Sequence, residues 1–130
     1  MTRILSVIGV VLVVGCGPEP RDMETLQELN GLYLNPGDGQ PYSGPVFEMR
    51  GDVRTMTGSL KDGDWDGPYE EYYENGQLGE KGMKKDGEWD GPRETYYDNG
   101  ELSYKGTYKD DEECGEWIED GETVTYELPC

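Results

Sequence analysis

Asp62, Asp64 and Asp66 stand at alternate positions in the stretch DGDWDG, and Gly67 follows the third acid. Alternate side chains can turn onto one cation, and glycine permits a sharp bend, so these residues read as the opening of an EF-hand calcium loop. The second half of such a loop does not follow. Its seventh position falls on Pro68 and its twelfth on Tyr73, with Glu74 one residue late. The flanks read as strands, whereas an EF-hand needs helices. Asp62, Asp64 and Asp66 are therefore only weak candidates for divalent-cation binding, and no cofactor is expected.

Other chemistries are narrowed by composition. The chain has no histidine, which excludes Ser-His-Asp and Cys-His catalysis and any His-containing metal site. With 29 acidic residues, close carboxylate pairs arise by chance. A glycosidase-type acid/base pair also needs a pocket that shifts a pKa, and a thin sheet offers none. No catalytic residue is assigned, and the chain reads as a non-enzyme. The net charge of -18 repels nucleic acid and anionic lipid; it suits a basic protein partner or keeps a sheet-rich protein soluble.

The cysteines fall into two groups. The chain opens MTRILSVIGVVLVVGC, with Arg3 as a basic n-region and eleven apolar residues from Ile4 to Val14. That run is short of the ~20 residues a spanning helix needs and fits the h-region of a secretion signal. It ends Val13-Val14-Gly15-Cys16, which resembles the bacterial lipobox. The alternatives are an ordinary cleaved signal and an uncleaved anchor with an incidental cysteine. The lipobox resemblance implies a signal peptide over 1–15, acylation of Cys16, and attachment to the membrane through that lipid. Gly rather than Asp at position 17 implies the outer membrane if the host is Gram-negative. The expected location is thus the bacterial cell envelope. Removing Cys16 leaves Cys114 and Cys130, an even remainder that reads as one disulfide in an oxidising compartment. Residues 16–31 read as lipid anchor and flexible tether, with a short helical turn over Met23 to Leu29, and residues 32–130 as the folded domain.

The elements that position these residues come from a repeat. Asp62-Gly63-Asp64-Trp65-Asp66-Gly67-Pro68 returns 24 residues on as Asp86-Gly87-Glu88-Trp89-Asp90-Gly91-Pro92. At the same offset Tyr72-Tyr73 matches Tyr96-Tyr97, Asn75-Gly76 matches Asn99-Gly100, and Lys81-Gly82 matches Lys105-Gly106. Upstream, Tyr42-Ser43-Gly44-Pro45 is a degenerate copy. Downstream, Gly115-Glu116-Trp117 aligns with Gly87-Glu88-Trp89 at 28 if a four-residue insertion holds Cys114. Tyr42, Trp65, Trp89 and Trp117 then occupy equivalent places. About two complete units lie between imperfect ends, as in capped repeat arrays.

Each unit reads as a β-hairpin. Pro68 to Tyr73 is an aromatic strand, and Gln77 to Lys85 returns. Asn75-Gly76 and Asn99-Gly100 are the expected type I′ turns, with φ > 0 at both residues. Gly82, inside the return strand, marks either a bulge or bare backbone under an aromatic ring. Asp62-Gly63 and Asp86-Gly87 turn the chain into the next unit. A last hairpin runs through Glu119-Asp120-Gly121, with the disulfide clasping its open end. The expected fold is all-β: an elongated antiparallel sheet of tandem hairpins with a period of about 24 residues. Its core aromatics are Tyr42, Trp65, Trp89, Trp117, Tyr72, Tyr73, Tyr96 and Tyr97.

The stretch from Tyr72-Tyr73 through Asn75-Gly76, Leu78, Gly82, Gly87 and Trp89, with its counterparts one unit on, resembles the variant MORN repeats. These occur in bacterial proteins labelled as the YwqK-type antitoxin family. The resemblance covers roughly residues 32 to 128. It implies a hairpin sheet used for protein contacts, and the antitoxin label implies neutralisation of a toxin. The chain is expected to be a monomer. The leading expectation is an envelope lipoprotein that presents this sheet to a protein partner. The alternatives are an inhibitor of a basic toxin and a weak cation-binding surface protein.

Overall fold

The structure, a computed structural model, describes residues 17–130; Cys16 and the leader before it lie outside the described residues. Twelve strands follow in chain order: β1 (Arg21–Asp22), β2 (Gln27–Leu29), β3 (Leu32–Leu34), β4 (Gly44–Arg50), β5 (Val53–Lys61), β6 (Asp64–Trp65), β7 (Gly67–Tyr72), β8 (Leu78–Lys85), β9 (Glu88–Tyr96), β10 (Leu102–Lys109), β11 (Glu112–Glu119) and β12 (Glu122–Tyr126). From β4 onward the sheet is antiparallel and each strand lies beside its predecessor, with β6 a short pairing on β5. The hairpin sheet expected from the repeat is what the chain builds.

The type I′ geometry expected at Asn75-Gly76 and Asn99-Gly100 is found instead at the joints between units. Positive φ at both central residues, the type I′ requirement, occurs at Asp62-Gly63 (51° and 83°), Asp86-Gly87 (49° and 81°) and Asp120-Gly121 (48° and 85°). It also occurs at Asp110-Asp111 (47° and 68°), the 24-residue counterpart of Asp86-Gly87. At Asn75-Gly76 and Asn99-Gly100 only the glycines are positive, at 83° and 88°. Gly76 N–H donates to the Tyr73 carbonyl and Tyr73 N–H to the Gln77 carbonyl, both at 2.9 Å. This is a three-residue loop closed by glycine in a G1 bulge, not a type I′ turn. The asparagine is held in the ordinary region because its Oδ1 accepts from the backbone N–H two residues on: Gln77 for Asn75, Glu101 for Asn99, each at 2.9 Å.

The joint motif has a further job. Lys84 pairs with Trp89 and Gly82 with Arg93, so Met83 alone opposes Asp90, Gly91 and Pro92. The same imbalance recurs on β11: Lys105 pairs with Ile118 and Thr107 with Cys114, leaving Gly106 against Gly115, Glu116 and Trp117. Gly67 (110°), Gly91 (116°) and Gly115 (66°) carry these bulges, each at a φ that favours glycine. Since turn and bulge both keep the 24-residue spacing, no insertion separates the last unit. Trp117 stands one slot further along its strand than Trp89 does.

The segment expected as a tether takes up secondary structure from Arg21. β1 lies parallel to β4, pairing Arg21 with Val46 and Asp22 with Phe47. A 3-10 turn over Met23–Thr25 follows, capped by Asp22, whose side chain accepts from Glu24 N–H. β2 and β3 then form a small hairpin through Asn30-Gly31 (53° and 80°). The helical reading of Met23 to Leu29 therefore holds for its first turn only; Asn-Gly between Leu29 and Leu32 selects a hairpin instead.

At the other end, Cys114 and Cys130 form the expected disulfide. Gly115 N–H donates to the Leu128 carbonyl at 3.0 Å, so the tail after β12 folds back onto β11. The core is thin: among the described residues the buried hydrophobics are Val46, Met56, Leu60, Cys114 and Trp117.

Candidate functional site

One face of the sheet is organised into parallel rows that run across the strands. The first is a ladder of seven rings. Centroid separations are 5.8 Å for Tyr33–Trp65, 5.1 Å for Trp65–Tyr69 and 5.5 Å for Tyr69–Trp89. They continue at 6.4 Å for Trp89–Tyr108, 5.0 Å for Tyr108–Trp117 and 5.9 Å for Trp117–Tyr126. All contacts are edge-to-face except Trp89–Tyr108, which is tilted at 36°. Edge-to-face pairs each contribute ~0.5–1.5 kcal/mol beyond burial.

The ladder needs bare backbone beneath it. A Cβ on Gly58 would lie 2.6 Å from Trp65 Cζ3, and one on Gly82 would lie 2.6 Å from Trp89 Cζ3. On Gly106 it would fall on the Trp117 ring itself. Gly82 thus meets both readings made for it, since the bulge begins beside it and a ring lies over it. Each repeat also locks to the next through main chain. Gly63 N–H donates to the Tyr42 carbonyl (2.8 Å), Gly87 to Trp65 (2.9 Å) and Asp111 to Trp89 (2.9 Å). Tyr42 is therefore equivalent to Trp65 and Trp89 in backbone position. Its ring is not in the ladder; it lies under Arg21 (5.4 Å), and its hydroxyl donates to the Pro45 carbonyl.

Rings and cations trade places between units. Tyr69 on β7 faces Lys84 on β8, with Nζ 5.1 Å from the ring centroid. One unit on, the slot of Tyr69 holds Arg93 and the slot of Lys84 holds Tyr108, with the guanidinium 5.3 Å from that ring. Lys84 and Arg93 also lie 4.2 and 4.5 Å from Trp89. In the first unit the same two slots hold Val46 and Leu60, both buried.

Beside the ladder runs a row of carboxylates. The pairing Glu48–Met56–Glu71–Glu80–Thr95–Tyr104–Glu119–Glu122 passes without a break from β4 to β12. Directly paired residues share a face. Ladder groups reach into the row: Tyr69 donates to Glu71, Arg93 Nε to Glu80 (2.5 Å), and Tyr126 to Glu119 (2.6 Å). The Glu119 bond pushes the Tyr126 phenol up to about 12. Burial, and then the bond to Glu71, push the Tyr69 phenol up as well. Toward the Asn-Gly loops lie Tyr73 and Tyr97, 39% and 45% exposed. Tyr73 donates to the Tyr96 carbonyl at 2.7 Å and Tyr97 to Asp120. A hollow of about 340 Å³ opens between them, lined also by Glu71, Glu80, Thr95 and Ser103.

The opposite face is a charge lattice. Glu94 accepts from Tyr96 and pairs with Lys81 (3.1 Å) and Lys105 (3.2 Å). The Tyr96 hydrogen bond first, then the two ammonium groups, pull its carboxyl down to about 2. Tyr72 donates to Glu70 in the same way.

These positions correct the expected core. Trp65, Trp89 and Trp117 are in the ladder. Tyr72 and Tyr96 are on the other face, bonded to the acids two residues before them, and Tyr73 and Tyr97 are exposed at the loop edge. Tyr72 and Tyr96 repeat because each bonds the glutamate two residues back, and Tyr73 and Tyr97 because each reaches the residue 23 positions on, neither of which is a measure of burial. Asp62, Asp64 and Asp66 do not converge. Asp62 is in the turn, Asp64 Oδ1 accepts from Trp65 N–H (2.9 Å), and Asp66 N–H donates to the Ser59 carbonyl (3.0 Å). Among the described residues no group of three or more Asp, Glu or Cys is placed to hold a metal ion.

Tyr33, Tyr69, Tyr108 and Tyr126, with Lys84 and Arg93, are the members the sequence reading passed over. The signal was present as a compensating exchange at offset 24, Tyr to Arg at one position and Lys to Tyr at the other. No curated protein and no solved structure matches the chain. Residues 65–82 and 89–110 match the family model described as MORN repeat variant, a non-catalytic repeat type that generally serves in protein interaction or membrane binding.

Proposed function

We propose that the chain is a lipid-anchored protein of the bacterial cell envelope whose repeat sheet is a non-enzymatic docking platform for a protein partner. The observation that carries this reading is the open ring face. Its ladder and carboxylate row cross the strands of one continuous sheet, with the tyrosines at the loop edge beside them, and the hollow between Tyr73 and Tyr97 is open to solvent. The anchor rests on Val13-Val14-Gly15-Cys16. Intact-mass analysis of the protein from membranes tests it: a diacylglyceryl adduct on Cys16 as the first residue, abolished by Cys16→Ala, is the expected result. Recovery of the unmodified full chain in the cytoplasm refutes it. A photo-crosslinking residue on the sheet, yielding a discrete protein adduct in living cells, tests the platform.

A second reading, inhibition of a basic toxin, is favoured by the excess of acids over bases, 29 to 11, which would steer such a target. It requires a neighbouring gene that is toxic alone and harmless on co-expression.

A further inference from the structure

The carboxylate row is the feature of the ring face that ladder packing does not require. It crosses eight strands, about 34 Å at ~4.8 Å per strand. It holds five glutamates and no basic residue. Aromatic surface borders it on both sides. The ladder lies on one; on the other, Tyr73, Tyr97 and, within the row, Tyr104 are exposed.

Two cations of the chain already occupy this surface: Lys84 lies over Tyr69 and Trp89, and Arg93 over Trp89 and Tyr108, and of the two Arg93 alone pairs with the carboxylate row. Arg93 places its guanidinium over Trp89 and Tyr108 while Nε donates to Glu80 at 2.5 Å. A guanidinium held by rings on its faces and a carboxylate at its edge is bound by both its quadrupole attraction and its charge. The flanking stations have a ring and a carboxylate but no cation paired to the carboxylate; at the Glu71 station Lys84 lies over the Tyr69 ring without pairing with Glu71. Glu71 has the Tyr69 ring beside it and Glu119 the Tyr126 ring, and each carboxylate receives only that tyrosine's hydroxyl from the ladder. Among the described residues no lysine or arginine pairs with Glu48, Glu71 or Glu119.

Resting on the reading of the sheet as a protein-docking platform, we propose that this face takes an extended, lysine- and arginine-rich segment of a protein partner, laid across the strands, with its cations seated at Glu71 and Glu119 as Arg93 is seated at Glu80. Ten extended residues at ~3.3 Å each span the row. Glu80 and Glu119 are three strand spacings apart, ~14 Å, or about four residues of such a segment.

The probe is a fluorescein-labelled deca-arginine peptide, titrated with the full chain in detergent and read by anisotropy. Two double variants carry equal net charge: Glu71→Gln with Glu119→Gln on the ring face, and Glu70→Gln with Glu116→Gln on the opposite one. Exposed ion pairs are modest, so the ring-face pair is expected to weaken binding roughly five- to tenfold and the control less than about twofold. Tyr97→Ser, at an exposed ring, is expected to weaken it without any change of charge. Near-UV circular dichroism checks the fold, and Glu71→Gln alone serves if the Glu119 variant is disturbed. Equal weakening by both double variants, or none by either, overturns the proposal. Crosslinkers at Tyr97 and at Met83, on opposite faces, separate it from the broader reading. Adducts from Met83 alone overturn this inference and leave the platform standing, whereas adducts from neither overturn both.

Discussion

Gly106→Ala tests the physical basis of the ladder. In an extended strand, alanine restricts the unfolded chain more than glycine and is expected to stabilise by ~0.4–1 kcal/mol where it fits. Here it does not fit. The new methyl carbon would meet Cγ of Trp117 at 2.5 Å and two further atoms of the ring interior more closely still. Trp117 is 3% exposed, its Nε1 donates to the Cys114 carbonyl at 3.2 Å, and rings pack against it on both sides. It has no free end to swing aside. Keeping the ring in place forces overpacking, at ~1–3 kcal/mol; expelling it gives up most of ~200 Å² of buried surface, ~5 kcal/mol at ~25 cal/mol/Å². The cheaper route still strains a hydrogen bond and two ring contacts, so a net loss of about 3 kcal/mol is expected. At Gly58 the added carbon meets the outer edge of Trp65, at 2.6 Å from Cζ3 and 3.3 Å from Cε3, in a ring that is only half-buried. Gly58→Ala is therefore expected to lose about 1 kcal/mol. Urea unfolding followed by tryptophan fluorescence, with the disulfide intact, gives both numbers from the midpoints at unchanged m. A Trp117→Leu background should remove most of the Gly106→Ala penalty, as coupled neighbours do. Equal losses at Gly58 and Gly106, or a Gly106 loss that survives Trp117→Leu, would refute the claim that ring-on-backbone contact sets this glycine.

Two further outcomes follow from the two edges and the far face of the sheet. The Glu94 carboxyl is held near 2 by the Tyr96 hydroxyl and by Lys81 and Lys105, below the ~4.3 of an unfolded glutamate. A depressed carboxylate stabilises above its unfolded value, and that contribution is lost as the pH falls through the folded one, so the window is about pH 4.5 to 2. Glu94→Gln should flatten the decline of the urea midpoint across that window, and an unchanged slope would count against the lattice. Asn75 makes two loop bonds, from Gln77 N–H to its Oδ1 and from its Nδ2 to the Asp98 carbonyl, both 2.9 Å, whereas Asn99 makes only the first kind. At ~1 kcal/mol per net hydrogen bond, Asn75→Ala should lower stability about twice as much as Asn99→Ala in thermal unfolding.

The repeat offset carried most of the architecture, because backbone devices tolerate little substitution. Positive φ at Gly67, Gly91 and Gly115 and the bare backbone of Gly58, Gly82 and Gly106 recur as glycine at a strict spacing of 24. Side-chain roles were harder to read. Tyr72 and Tyr96 repeat as faithfully as any core residue while lying on the charged face, since a tyrosine-to-glutamate bond two residues back is as local and repeatable as a packing contact. Tyr69 and Tyr108 do not repeat at all, yet they hold the ladder together. What the two complete units share is the pair, one ring and one cation on neighbouring strands, and either strand can supply either member. Identity at a fixed offset is blind to such an exchange; pairing the strands first makes it visible. The same exchange bears on function. Arg93 fills one station of the ring face from within the chain, and under the docking proposal drawn from it the stations at Glu71 and Glu119 take the same chemistry from outside.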